Sequence, residues 1–147
     1  MPQPAQLGPE SLADLPGLLE RAEGWPGLLS ALGSSGSGVI DGAWGPASAL
    51  AAAALAGNAR KTLLVVLAHP GDVDPWGHDL QSFAGIKPLL FPAWEEWPPH
   101  KTLLDEIPGQ RLRIIQKLAT KPPQLILTTI AALMQPVPSR AELTERG

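Results

Sequence analysis

The chain has 147 residues, a formal net charge of −3 and no cysteine. That length gives one domain of ordinary size, with room for a real core but little for a self-contained enzyme that carries its own substrate domain. The acidic balance excludes binding of nucleic acid by general phosphate neutralisation and leaves only a local basic patch for such a role, while the missing thiols exclude disulfides and thiolate metal sites and fit a reducing cytoplasm.

The 17 prolines and 15 glycines fall between periodic segments and act as punctuation. Met1 to Pro9 has little to bury. Met1 to Glu20 has no basic residue followed by an apolar stretch, and the longest apolar run, Ala49 to Ala56, is far too short to span a bilayer. The reading is a soluble intracellular protein with no membrane partner. Ser11 to Arg21 and Pro26 to Leu32 are predicted as short helices carrying Leu12, Leu15, Leu18, Leu19, Leu28 and Leu29, and Ser34 to Gly38 as a flexible joint.

Beyond the joint the rhythm becomes strand, helix, strand, helix. Val39 to Asp41 is predicted as a short strand and Pro46 to Leu55 as a buried helix closed by Gly57-Asn58. Between them, Asp41-Gly42-Ala43-Trp44-Gly45-Pro46-Ala47-Ser48-Ala49 has the layout of a phosphate-binding loop without its chemistry. Such a loop needs glycines for the turn, backbone N–H groups around a phosphate, a lysine against the β/γ oxygens and a hydroxyl for Mg²⁺. Gly42 and Gly45 keep the first spacing, but Ser48 stands at the lysine position and Ala49 at the hydroxyl position. Pro46 removes a donor, and Trp44 puts an indole where the loop should stay open. An ordinary turn that never held a nucleotide is the competing reading.

Thr62 to Ala68 reads as an apolar strand covered on both faces, and Asp74-Pro75 as a helix start, with Trp76, Leu80 and Phe83 on one face and Gly85 at the end. Lys87 to Phe91 is a third strand. Pro108 opens a helix with Leu112, Ile115 and Leu118 inward and Arg111, Arg113 and Lys117 outward; Gln124 to Thr128 is a fourth strand, and Thr129 caps a short helix over Ile130 to Met134. Alternating β and α elements imply a mostly parallel sheet flanked by helices.

No catalytic constellation stands out. Leu103-Leu104-Asp105-Glu106 imitates the end of a Mg²⁺-binding strand but reads better as helix capping, with Pro108 following. His69, His78 and His100 have no paired spacing for zinc, and Asp72, Asp74 and Asp79 are explained by capping and a solvated helix face. Ser34 and Ser48 lack a nucleophile-elbow context. The sequence therefore implies no catalytic residue, metal or cofactor. The connection Phe91 to His100 is more specific: Trp94 and Trp97 flank Glu95 and Glu96 between prolines. Two readings stand, packing back over the sheet edge and an aromatic anchor for a partner. The basic row Arg111, Arg113, Lys117 and Lys121 likewise reads as a solvated helix face or as a contact for an acidic partner.

Taken in order, the loop at Gly42 to Ser48, Leu64-Val65-Val66, Asp79-Leu80 with Phe83, Phe91 to Glu96, Gly109-Gln110-Arg111-Leu112 and Thr128 to Gln135 resemble the N-terminal end of the bacterial transcription-repair coupling factors, Mfd. The resemblance covers roughly residues 28–138. It implies a P-loop/helicase-like fold similar to the first domain of UvrB (domain 1a), with a degenerate phosphate loop that no longer binds ATP. It also implies the absence of the tyrosine-rich hairpin with which UvrB-like domains grip damaged DNA, and this chain has no tyrosine.

On that resemblance, residues 1–27 form an N-terminal extension of helix and loop, 28–138 the UvrB-like domain, and 139–147 a tail or the start of a following domain. The implied role is a non-catalytic scaffold in transcription-coupled nucleotide excision repair, supporting recruitment of UvrA to stalled RNA polymerase and contacts with other domains of a longer parent. The parent would be an ATP-dependent DNA translocase whose motor lies outside these residues, and the segment alone is expected to bind UvrA weakly or not at all. A DNA-contacting module using the basic helix face and a small nucleotide-binding enzyme domain with an atypical loop are the alternatives.

Overall fold

A computed structural model of the protein describes residues 8–94 and 106–139. These divide between two compact units, one comprising Met1–Asn58 with His78–Lys87, the other Ala59–Gly77 with Pro88–Gly147.

The first unit is helical. A 3-10 turn, Leu12–Asp14, leads directly into α1, Leu15–Leu19. The Asp14 carboxylate turns back to accept from Ser11 N at 2.9 Å and Ser11 Oγ at 3.2 Å, which fixes the chain direction at this start. α2, Trp25–Ser34, buries Trp25 and ends where Ser34 and Ser35 hydroxyls donate to the carbonyls of Ser30 and Ala31. α3, Pro46–Asn58, is alanine-rich on every side and buries five of its alanines, as a helix without a polar face must. Its last residue, Asn58, donates to Glu20 Oε1 at 2.8 Å and to Ala54 O at 3.0 Å, tying the end of α3 to the end of α1. The predicted strand over Val39 to Asp41 is not formed. Val39 is 90% exposed. Two apolar residues between Gly38 and the turn at Asp41-Gly42 offer too few ladder bonds to hold a strand.

The second unit carries a three-stranded, wholly parallel sheet in the order β1-β3-β2, where β1 is Leu63–Leu67, β2 is Leu89–Phe91 and β3 is Leu125–Thr129. Leu63 pairs with Leu125 and Phe91 with Thr128. Thr62 Oγ1 donates to Pro123 O at 2.6 Å, and Thr128 Oγ1 to Phe91 O at 2.8 Å, so hydroxyls pin the register at opposite corners. All five residues of β3 are buried. β1 is not: Val65 and Leu67 are buried while Leu64 and Val66 stay exposed, so the double-sided coverage expected from its apolar run is replaced by alternation. One face of β1 is therefore covered and the other is open.

The remaining helices are α4, Val73–Ala84, α5, Glu106–Thr120, and α6, Ile130–Met134. α4 starts one residue before the Asp74-Pro75 signal, buries Leu80 and Phe83, and stops at Gly85, whose φ of 68° is a conformation other residues resist. The α/β class with a small parallel sheet and flanking helices thus stands. Among the described residues no helix is long and apolar enough to cross a membrane.

Candidate functional site

The loop before α3 is closed by its own bonds. Gly42 and Gly45 take left-handed φ angles of 75° and 53°, and a Cβ at either position would meet no atom within 4 Å, so the demand for glycine there is conformational. Gly42 N donates to Asp41 Oδ1 at 2.8 Å. Ala47 N donates to Trp44 O and Ser48 N to Gly45 O, both at 3.1 Å. Ser48 Oγ then donates to Ala43 O at 3.0 Å. Donors that a phosphate cradle would leave facing outward are spent inside the turn, a carboxylate sits beside the first glycine, and Pro46 contributes none. The Trp44 side chain plays no part in the closure, contrary to the sequence expectation: the residue is 83% exposed and contributes only its carbonyl. Ala49, at the position of the Mg²⁺-binding hydroxyl, is fully buried.

The second candidate region lies where β2, α5 and α6 meet, and here the structure corrects the sequence reading. Arg111 does not point outward with Arg113 and Lys117; it is 2% exposed. The inward stripe of α5 runs through Arg111 and Ile114, while Leu118, expected inside, is exposed. Arg111 Nη1 donates to Pro92 O at 2.6 Å and Ala132 O at 3.3 Å, and Nη2 to Ala132 O at 3.2 Å and Gln135 O at 3.4 Å. The guanidinium lies 4.2 Å from the centroid of Phe91 and 5.0 Å from that of Trp94. Gln135 completes the clamp, its Oε1 accepting from Trp94 N at 2.7 Å and its Nε2 donating to Trp94 O at 3.1 Å.

A planar fork with five donors suits such a set of carbonyls and rings, which a lysine could not serve. Burial pushes the Arg111 guanidinium below its usual value, yet an arginine keeps its proton across the working pH range, so the charge is permanent and is met by carbonyl dipoles and ring faces. Helical periodicity assigns charges to solvent and so predicts the opposite orientation for this arginine. Its partners, Phe91, Pro92, Trp94, Ala132 and Gln135, are remote in sequence, and no local signal joins them.

Of the other predicted contact residues, Trp94 is half-buried under this clamp, and Arg113 and Lys117 are exposed, followed by exposed Lys121. Glu95, Glu96 and Trp97 lie outside the described residues, as do His100, Asp105 and residues 140–147. Among the described residues, no three His, Cys, Asp or Glu side chains gather as a metal site would require. No family model, curated protein or solved structure matches the chain.

Proposed function

We propose that the chain is a non-catalytic scaffold domain of the UvrB-like kind borne at the N-terminal end of bacterial transcription-repair coupling factors, a P-loop/helicase-like α/β domain whose phosphate loop is degenerate. The observation that carries this reading is the self-closed turn from Gly42 to Ser48, in which the N–H groups of Gly42, Ala47 and Ser48 already have acceptors within the loop and no lysine is present to neutralise a triphosphate. In this reading the domain acts in the cytoplasm in nucleotide excision repair. Its partners are UvrA, RNA polymerase through the parent protein, and other domains of that parent.

Calorimetry with ATP and Mg²⁺ tests the central point. The expected result is no binding heat. Micromolar affinity would overturn the scaffold reading in favour of a nucleotide-dependent enzyme. A pull-down with UvrA tests the partner assignment, and weak or no retention is expected from this segment alone; strong retention would move the main UvrA surface into these residues.

One observation favours a second reading. With Arg111 buried, the exposed basic row shortens to Arg113, Lys117 and Lys121, but no acidic residue lies between Ile107 and Lys121 to offset it. A weak DNA contact through this face predicts a mobility shift at low salt that fades as salt rises. No shift at low salt removes it.

A further inference from the structure

The two outer edges of the parallel sheet are finished differently. β2 is three residues long and stands between Pro88 and Pro92; short strands and prolines are how sheet edges are blunted against further pairing. β1, Leu63–Leu67, has five residues and carries no charge, proline or glycine. Leu63 N donates to Gln124 O at 2.9 Å, and in a parallel ladder successive residues turn their N–H and C=O groups to opposite sides. Leu63, Val65 and Leu67 therefore serve β3, while Leu64 and Val66 turn theirs to the outer edge. No group among the described residues pairs with them there. The side chains of the same two residues are exposed, as is Ala68 beyond them. Charge is polarised along this edge: exposed Arg60 and Lys61 precede β1, and exposed Asp72 and Asp74 follow it.

We propose that this edge is a homodimer interface, in which β1 pairs antiparallel with β1 of a second copy about a two-fold axis near Val65 and joins the two small sheets into one. That register sets Leu64 opposite Val66 of the second copy, and the reverse, so each outward N–H and C=O meets its complement with no other residue needed. Residues directly opposite share a face. The exposed Leu64 and Val66 side chains of both copies therefore meet as cross-strand pairs and cover one another. The same direction carries Arg60 and Lys61 of one copy toward the end that bears Asp72 and Asp74 of the other, whereas a parallel pairing would set like charges together. An antiparallel second copy thus meets the bonding, the apolar surface and the charge of this edge at once. The inference does not depend on the scaffold reading, which concerns the loop before α3.

The test is sedimentation equilibrium of the full chain over a range of concentrations, with amide hydrogen exchange measured at the same concentrations. The strip is small, well under about 1,200 Å² of buried surface, so a dimer with a Kd on the order of 0.1 mM is expected. The Leu64 and Val66 amides should exchange freely in dilute solution and gain protection in proportion to the fraction of dimer. Val66→Lys, at an exposed position, puts a charge into the apolar strip and is expected to weaken dimerisation by about tenfold or more. Leu64→Pro removes an outward N–H while leaving the bonds of Leu63 and Val65 to β3 in place, and should weaken it at least as much; urea unfolding checks that the proline variant is folded. A chain still monomeric at about ten times that Kd, a dimer untouched by Val66→Lys, or a dimer in which the Leu64 and Val66 amides exchange as they do in the monomer would each overturn the proposal.

Discussion

The starts of α3 and α6 solve the same problem in opposite ways. Each helix begins with backbone N–H groups that lack intrahelical partners. Ahead of α3 the chain makes a turn with two left-handed glycines and bends Ala47 N and Ser48 N back onto carbonyls three residues earlier, while the Ser48 hydroxyl acts as a donor to Ala43 O. Ahead of α6 there is no loop at all. β3 passes into the helix at Thr129, whose buried hydroxyl accepts from Ala132 N at 3.3 Å, and at the far end Arg111 gathers the carbonyls of Ala132 and Gln135. Both starts are held by residues close in sequence, but α6 is also held at its far end by Arg111, more than twenty positions away, whereas among the described residues α3 has no such anchor at its start. Structural weight should therefore sit at α6, and the loop before α3 should tolerate change.

Arg111→Met gives the sharpest test of that difference. It leaves the carbonyls of Pro92, Ala132 and Gln135 without their donor and the Phe91 and Trp94 rings without their cation, for a loss of about 3 kcal/mol of unfolding free energy. Arg111→Lys should recover less than half of this, because an ammonium cannot reach both sets of carbonyls at once. Urea unfolding measures both. Equal stability of the methionine variant would mean that desolvating the charge cancels its bonds, and the clamp would not be an anchor.

Thr129→Ala comes next, at about 1 kcal/mol for the loss of one buried helix cap. The parallel change Ser48→Ala removes a single part-buried bond to Ala43 O and should cost about 0.5 kcal/mol. A Ser48 effect as large as that of Thr129 would contradict the ranking of the two starts.

How legible each region was follows from the same contrast. The Thr129 cap, the Gly85 stop and the parallel α/β rhythm could be read directly, since each depends on residues within a few positions of one another. The strand expected at Val39 failed because two apolar residues satisfy a propensity rule but not a pairing requirement. The apolar run of β1 predicts two covered faces, whereas Leu64 and Val66 are exposed; which face another element covers is set by residues remote in sequence, and the strand's own residues do not encode it. Arg111 departs furthest from what helical periodicity predicts. Its guanidinium finds Phe91 and Gln135 across 20 and 24 positions of chain, and a periodic pattern has no means of seeing that.

The smallest expected effect separates two accounts of why, on the proposed reading, the loop before α3 would not hold a nucleotide. If the fault is only the missing cation, Ser48→Lys should restore binding of ATP with Mg²⁺, since Gly42 and Gly45 already take left-handed angles. If the fault is the direction of the backbone donors, the lysine changes nothing: Ala47 N still bonds Trp44 O, Pro46 still lacks an N–H, and Gly42 N still faces the Asp41 carboxylate. The geometry favours the second account, because a phosphate cradle draws most of its contacts from several N–H groups converging on one anion, and three of these are committed inside the turn. Calorimetry on Ser48→Lys should therefore show no heat above that of the parent chain. Micromolar binding by this variant would make the loop an intact cradle lacking one side chain, and the turn bonds would then be a resting arrangement that an anion can displace.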